Sequence, residues 1–284
     1  MDHSEDLEKI LGELEGLVKK AGYDEFYGYQ MDPKGEFYDS KIASKLIYKL
    51  LKAYNFNLEE TRRHFVDILK WRGEFDPLSA AFLEKHDPKF DKIGVMTLNP
   101  DGQSGDKVIT WNLYGTIDNS EDVFGRLDEF MRWRVGIMEQ AINQLDFDDT
   151  TNDYMAQVHD YKGASLFSMT GDAKKASTSI IKMFGDYYPE VLSRKYFVNV
   201  PALMAFLFNA FKAFVAEATR KKLVMLRHGV ELSDYIDGVG VPKSYGGKSG
   251  KGLDELRFIF DKDRVRLPAY VSYLLETKVT NEVD

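Results

Sequence analysis

Two runs rich in β-branched and aromatic residues, Ile93–Leu98 (IGVMTL) and Val108–Tyr114 (VITWNLY), open a region in which strand-like and helix-like patterns alternate to about residue 226. That alternation constrains the fold more than any other feature. The turn-like stretch Asn99–Asp106 between the two runs predicts a hairpin. Ser120–Leu145 carries Val123, Phe124, Leu127, Met131, Ile137, Met138 and Ile142 at helical spacing and predicts one long helix. A strand over Tyr154–Tyr161 follows, then a helix from about Ala173 to Tyr187, stopped by Pro189. A strand at Lys195–Val200, a helix at Ala202–Val215 and a strand at Leu223–Leu226 complete the series. Strands alternating with helices need crossover connections, which predicts an α/β fold on a mixed, mainly parallel sheet.

Residues 1 to about 80 read differently. Leu7, Ile10, Leu11, Leu14, Leu17 and Val18 mark an amphipathic helix. Gly22–Glu36, with its glycines, proline and tyrosines, is expected to be a loop wrapping the surface. Asp39 or Ser40 can cap a second helix bearing Ile42, Leu46, Leu50 and Tyr54. Asn57, with Glu60 three residues on, starts a third helix in the manner of a capping box, presenting Phe65, Ile68 and Leu69 and ending near Arg72–Gly73. No internal repeat or low-complexity tract interrupts the chain.

Composition narrows the function classes. With 44% hydrophobic residues, 19 Phe and 16 Tyr in 284 residues, the chain can form a sizeable core or a roomy apolar cavity. A net charge of −8 argues against nucleic-acid binding and against membrane attachment steered mainly by anionic headgroups, and mildly favours a monomer or weak dimer. The absence of cysteine excludes disulfides, zinc–thiolate sites, iron–sulfur clusters and thiolate-ligated heme. The start, MDHSEDLEK, lacks the regions of a signal peptide, and no apolar run reaches the roughly 18 residues of a membrane span. A soluble, cytoplasmic protein, at most peripheral to membranes, is expected.

Pro201–Phe214 (PALMAFLFNAFKAF) is apolar on nearly every face. It reads either as a buried core helix or as a movable lid over a hydrophobic ligand.

Tyr154–Gly163 (YMAQVHDYKG) carries the most suggestive chemistry. Strand alternation places His159 and Tyr161 on one face, about 7 Å apart. The pair is either a hydrogen-bonded core couple or a site. Nucleophile-elbow, P-loop, dinucleotide and zincin motifs are absent, and His3, His64, His86, His159 and His228 form no close metal-ligand spacing. Asp146, Asp148 and Asp149 read as a solvated loop, and Tyr245–Gly250 as a glycine-rich turn. An enzyme is not expected.

The ordered set of helical N-terminus, hairpin, long helix, QVHDYKG strand, YYPE turn, KYFVNVP strand, apolar helix, RKK strand and YGG turn resembles the CRAL-TRIO, or Sec-fourteen-like, lipid-exchange superfamily over roughly residues 20 to 250. The stretches AGYDEFYGY, YKLLKAYNF, WRGEFDPLSAA, ITWNLYG, YMAQVHDYKG and RKYFVNVP are closer still to the fungal fifth-homologue branch, phosphatidylinositol transfer proteins that bind heme. The resemblance implies a helical N-terminal part over 1–80, a lipid-binding domain over 81–255 with Pro201–Phe214 as gating helix, and a C-terminal extension over 256–284.

The resemblance also implies two sets of site residues. In phosphoinositide-binding members, an acidic residue of the Y-P-E turn and a Thr-x-x-Lys pair hold the headgroup; here these match Glu190, Thr219 and Lys222. The arginine that usually follows the acidic residue is Val191, and the basic residue of the R-A-R-K-F motif is Tyr54. Both departures weaken phosphate binding. In the heme-binding branch the tyrosine of H-D-Y is the axial ligand, matching Tyr161, with His159 and Tyr54 beside it. The main expectation is therefore ferric heme b held by a tyrosinate on a lipid-transfer scaffold, acting in heme homeostasis or the oxidant stress response. The alternative is a phosphatidylinositol-binding and transfer protein regulating phosphoinositide synthesis. Both involve transient contact with the endoplasmic reticulum or another membrane.

Overall fold

Side-chain alternation and strand register assemble the centre of the molecule. A computed structural model describes residues 3–164, 171–201, 220–261 and 265–281. The N-terminal part contains α1 (Ser4–Ala21), the two-residue strands β1 (Glu25–Phe26) and β2 (Tyr29–Gln30), α2 (Ser40–Ala53), α3 (Leu58–Phe75) and α4 (Pro77–Phe82). Then come β3 (Gly94–Leu98), β4 (Val108–Leu113), α5 (Ser120–Phe124), α6 (Leu127–Ile142), β5 (Met155–Asp160), α7 (Gly171–Tyr187), β6 (Leu192–Val198), β7 (Leu223–Met225) and α8 (Ala269–Asn281). The expected apolar helix after Pro201 lies outside the described residues.

The sheet runs β3-β4-β5-β6-β7. Its first pair is the antiparallel hairpin, and β4, β5, β6 and β7 are parallel. This is the mixed, mainly parallel sheet that the alternation predicts. Every residue of β5 is buried, so both faces of the sheet are covered. Val158, Ile109 and Trp111 point to one core cluster, with Tyr196 and Tyr245. Met155 points to the other, where α1, α2, α3, α6 and the end of α7 pack together. That second cluster spans Ile10 to Val191, so the N-terminal helices and the sheet share one core.

Local chemistry explains most element ends. Asp39 caps α2 by accepting from Lys41 N and Ile42 N. Asn57 caps α3 by accepting from Glu60 N at 3.1 Å, while the Glu60 carboxylate turns outward to Arg63.

Three expectations are corrected. Gly22–Glu36 is not a surface wrap: it folds into the β1–β2 hairpin and buries Glu25, Phe26, Tyr27 and Met31. The turn works because Tyr27 and Gly28 both take positive φ, 53° and 88°, matching the twist of a two-residue hairpin. The long helix is broken into α5 and α6 at Gly125–Arg126, which lets Phe124 fold back onto Phe130 at 5.1 Å between ring centroids. The strand expected at Lys195–Val200 runs from Leu192 to Val198 instead. It starts early because Leu192 pairs with Met155, and it stops because Asn199 adopts φ 54°.

Candidate functional site

Register fixes which side chains of the sheet share a face. Thr110, Gln157 and Lys195 lie in one row across β4, β5 and β6; Asn112, His159 and Phe197 lie in the next. One step further, past the strand ends, Tyr114 and Tyr161 meet with ring centroids 5.0 Å apart. Arg134 of α6 is buried over this face. The rows are therefore polar where a sheet face under helices is usually apolar.

Many of those polar groups lack partners among the described residues. Both amide atoms of Gln157, the Thr110 hydroxyl and His159 Nε2 are buried without a hydrogen bond. Buried polar atoms are ordinarily satisfied, so a row of orphans marks a surface shaped for water or a ligand. His159 Nδ1 is satisfied, and not by Tyr161: it hydrogen-bonds Tyr114 Oη at 2.7 Å. Phe197 stacks on the imidazole at 5.2 Å and on the Tyr161 ring at 6.4 Å.

The electrostatics of this end are one-sided. Burial lowers the Arg134 guanidinium to about 10, and burial together with the Arg134 charge lowers the Lys195 ammonium to about 8. No carboxylate among the described residues offsets either cation. Burial, with Lys195 and Arg134 nearby, drives His159 well below the ordinary imidazole value, so the ring is neutral. Burial raises Tyr114 to about 12 and raises Tyr161 further, so both are phenols in the free protein. Neutral donors beside two uncompensated cations suit a ligand that brings its own negative charge.

A second polar cluster sits at the opposite end of β5, about 20 Å along the strand from Tyr161. Glu190, held at φ 52°, accepts from Lys222 Nζ at 3.0 Å and from Tyr154 Oη at 3.1 Å, and pairs with Lys52 Nζ at 3.3 Å. Burial alone would raise its carboxyl, but the Lys222 and Lys52 contacts outweigh burial and hold it below the usual range. Lys49 pairs with Asp153 at 2.9 Å and lies 3.1 Å from the Tyr154 ring centroid. Three lysines against Glu190 and Asp153 leave one net positive charge, carried at the surface by an exposed Lys52 and a half-buried Lys222.

The structure thus separates the expected site residues into two groups. His159 and Tyr161 share a cluster, and Glu190 and Lys222 share another. Tyr54 joins neither by a described contact: it ends α2 and stacks on His64 at 4.1 Å. Val191 is buried in the core and supplies no charge. Thr219 lies outside the described residues. Sequence reasoning missed Tyr114, Arg134, Lys195, Lys52 and Tyr154. The signal for Tyr114 was its place at the end of a strand run; no local pattern pointed to the others.

Comparison with known proteins agrees with this architecture. The profile of the CRAL/TRIO domain matches residues 93–247. A Saccharomyces cerevisiae protein named phosphatidylinositol transfer protein SFH5 is 39% identical over 98% of this chain and 96% of its own length. A Candida glabrata protein of the same name is 41% identical over 94% of this chain and 92% of its own. The crystal structure of Sfh5 superposes with a TM-score of 0.90 at 39% identity, covering 98% of this chain and 97% of that one.

Proposed function

The chain belongs to the CRAL/TRIO family, and from that premise we propose that it is a lipid-binding carrier of the phosphatidylinositol-transfer type rather than an enzyme. The names of its relatives support the lipid class. The observation that carries the headgroup assignment is the Lys52–Glu190–Lys222 cluster with its single excess positive charge. One phosphodiester neutralises that excess, and Glu190 can exchange a lysine or tyrosine donor for an inositol hydroxyl. Vesicle-to-vesicle transfer of fluorescent phosphatidylinositol tests this. Lys222→Ala and Glu190→Gln should each lower transfer at least tenfold; undiminished transfer in both overturns the reading.

A second reading, ferric heme b on the inner sheet face, is favoured by a different observation. The Tyr161 phenol, the orphaned His159 Nε2 and two cations without a carboxylate stand on one face. These residues fit the group: Tyr161 would ligate the iron through its phenol oxygen, His159 and Tyr114 would stand beside that phenol, and Arg134 and Lys195 would hold the porphyrin carboxylates. Bound there, heme supplies a Lewis-acidic Fe(III) whose oxidised state a phenolate ligand favours. The chain's own contribution is to strip water from the phenol and keep the neighbouring imidazole neutral. The visible spectrum of the protein purified from cells tests it. A Soret band lost in Tyr161→Phe, with phosphatidylinositol transfer retained, supports heme; a protein that stays colourless after hemin addition overturns it. The proposed carrier works in the cytoplasm with transient membrane contact. Among the described residues no helix is long and apolar enough to cross a bilayer.

A further inference from the structure

Between the two clusters, the inner face of the sheet carries a polar row deeper than Tyr161. Thr110, Gln157 and Lys195 are paired in register on the adjacent parallel strands β4, β5 and β6, so their side chains leave the sheet on one side. Neighbouring strands lie about 5 Å apart, so hydroxyl, amide and ammonium form a line about 10 Å long. Thr110 and Gln157 are each only 1% exposed. Even so, the Thr110 hydroxyl and both amide atoms of Gln157 have no hydrogen-bond partner among the described residues. An apolar side chain would serve a core better at either place, because each unpaired buried polar atom costs stability.

Positive charge is concentrated over the same row. Arg134 reaches it from α6, its guanidinium 5.2 Å from the centroid of the Phe184 ring. Neither Arg134 nor Lys195 has a carboxylate partner among the described residues. Both charges act on His159 in the neighbouring row, and Arg134 acts on Lys195, so the two cations address one small region. A monoanion there would leave one of them unbalanced, whereas a compact dianion neutralises both. Lys195 is partly exposed, which leaves the row open at its β6 end. Apolar rings flank both cations, Phe184 against Arg134 and Phe197 two residues beyond Lys195 on the same face. The group that carries the anion is therefore apolar.

We propose that this row binds a phosphate monoester dianion on an apolar stem, its oxygens shared among Arg134, Lys195, Gln157 Nε2 and the Thr110 hydroxyl. Such a ligand completes every orphan of the row. Gln157 Nε2 and Thr110 donate to phosphate oxygens, and the Lys195 ammonium drawn in beside them has a further N–H for Gln157 Oε1. The site draws on neither the Tyr161 phenol nor the Glu190 cluster.

Calorimetric titration of n-octyl phosphate into the whole protein at about pH 7, where a phosphate monoester is largely dianionic, tests the proposal. n-Octyl sulfate carries the same stem with one charge, and inorganic phosphate carries the charge without a stem. Saturable binding of octyl phosphate, at least tenfold tighter than that of octyl sulfate, is expected; equal affinity for the two overturns the proposal. Inorganic phosphate binding as tightly as octyl phosphate supports the dianion site and overturns its apolar stem. Gln157→Met should weaken octyl phosphate binding at least tenfold while raising the melting temperature of the unliganded protein, because it removes two unpaired buried atoms. Those opposite signs separate a ligand contact from a core residue, and undiminished affinity in Gln157→Met overturns the proposal whatever its melting temperature. If that variant does not fold, Lys195→Met decides: a tenfold loss is expected, and undiminished affinity overturns the proposal equally.

Discussion

Tyr114 and His159, 45 residues apart in sequence, meet side chain to side chain at 2.7 Å across the parallel pair β4–β5. The register that aligns Asn112 with His159 also carries Tyr114 past the strand end to the level of Tyr161. The phenol nearest the imidazole is therefore that of Tyr114, and the Tyr161 hydroxyl keeps no partner among the described residues. An imidazole that braces one phenol leaves the other available.

Removing the Tyr114 hydroxyl exposes what that contact contributes. Tyr114→Phe leaves His159 Nδ1 buried and unpaired, which costs about 1–3 kcal/mol in urea unfolding. Adding His159→Phe removes the orphan, so the double variant should lose less than the sum of the singles.

The pH dependence of stability carries the signature of His159. Its folded value lies well below the ordinary 6.5, chiefly through burial. The unfolded chain therefore takes up the proton first, so this contribution is fully present above pH 6.5 and is lost as the pH falls below it. Between pH 7.5 and 5.5 the parent should lose about 1.4 kcal/mol more than His159→Gln does, measured by denaturant unfolding. Equal losses would show that the ring titrates normally.

Gly115 holds the two phenols together. A Cβ at this position would stand 1.6 Å from the Lys162 carbonyl oxygen, so the turn after β5 can approach Tyr114 only if residue 115 has no side chain. Gly115→Ala should lower stability by about 2 kcal/mol or more and separate the Tyr114 and Tyr161 rings. Calorimetry and loss of the aromatic ring-current shifts report the two effects separately.

Arg72 is the keystone between the N-terminal helices and the sheet domain. Arg72→Met leaves two buried carboxylates facing each other, for a cost of about 3–5 kcal/mol in urea unfolding. Arg72→Lys should recover little, because an ammonium cannot make the two forked contacts that the guanidinium makes at once.

Much of this protein was legible from its residues. The alternation of strand and helix runs determined the α/β class and the mixed sheet, because a period of two and a period of 3.6 are local properties of the chain. The same alternation put His159 and Tyr161 on one face, whereas Glu190 and Lys222 came to notice only through the resemblance of the YYPE turn and the Thr-x-x-Lys pair to a known family. What the sequence could not determine is register and crossing. Whether Tyr114 or Tyr54 faces the imidazole depends on how β4 slides along β5 and where α2 ends, and those choices are made by packing between segments far apart in the chain. Arg134 and Lys195 read as ordinary helix and strand residues until α6 lies over the sheet and leaves them without a carboxylate. Gly22–Glu36 looked like surface for the same reason: its polar composition is local, but the Arg72 guanidinium that draws Glu25 inside is 47 residues away. Local periodicity chose the elements; long-range burial of charge and hydrogen bonds decided which side chains form the sites.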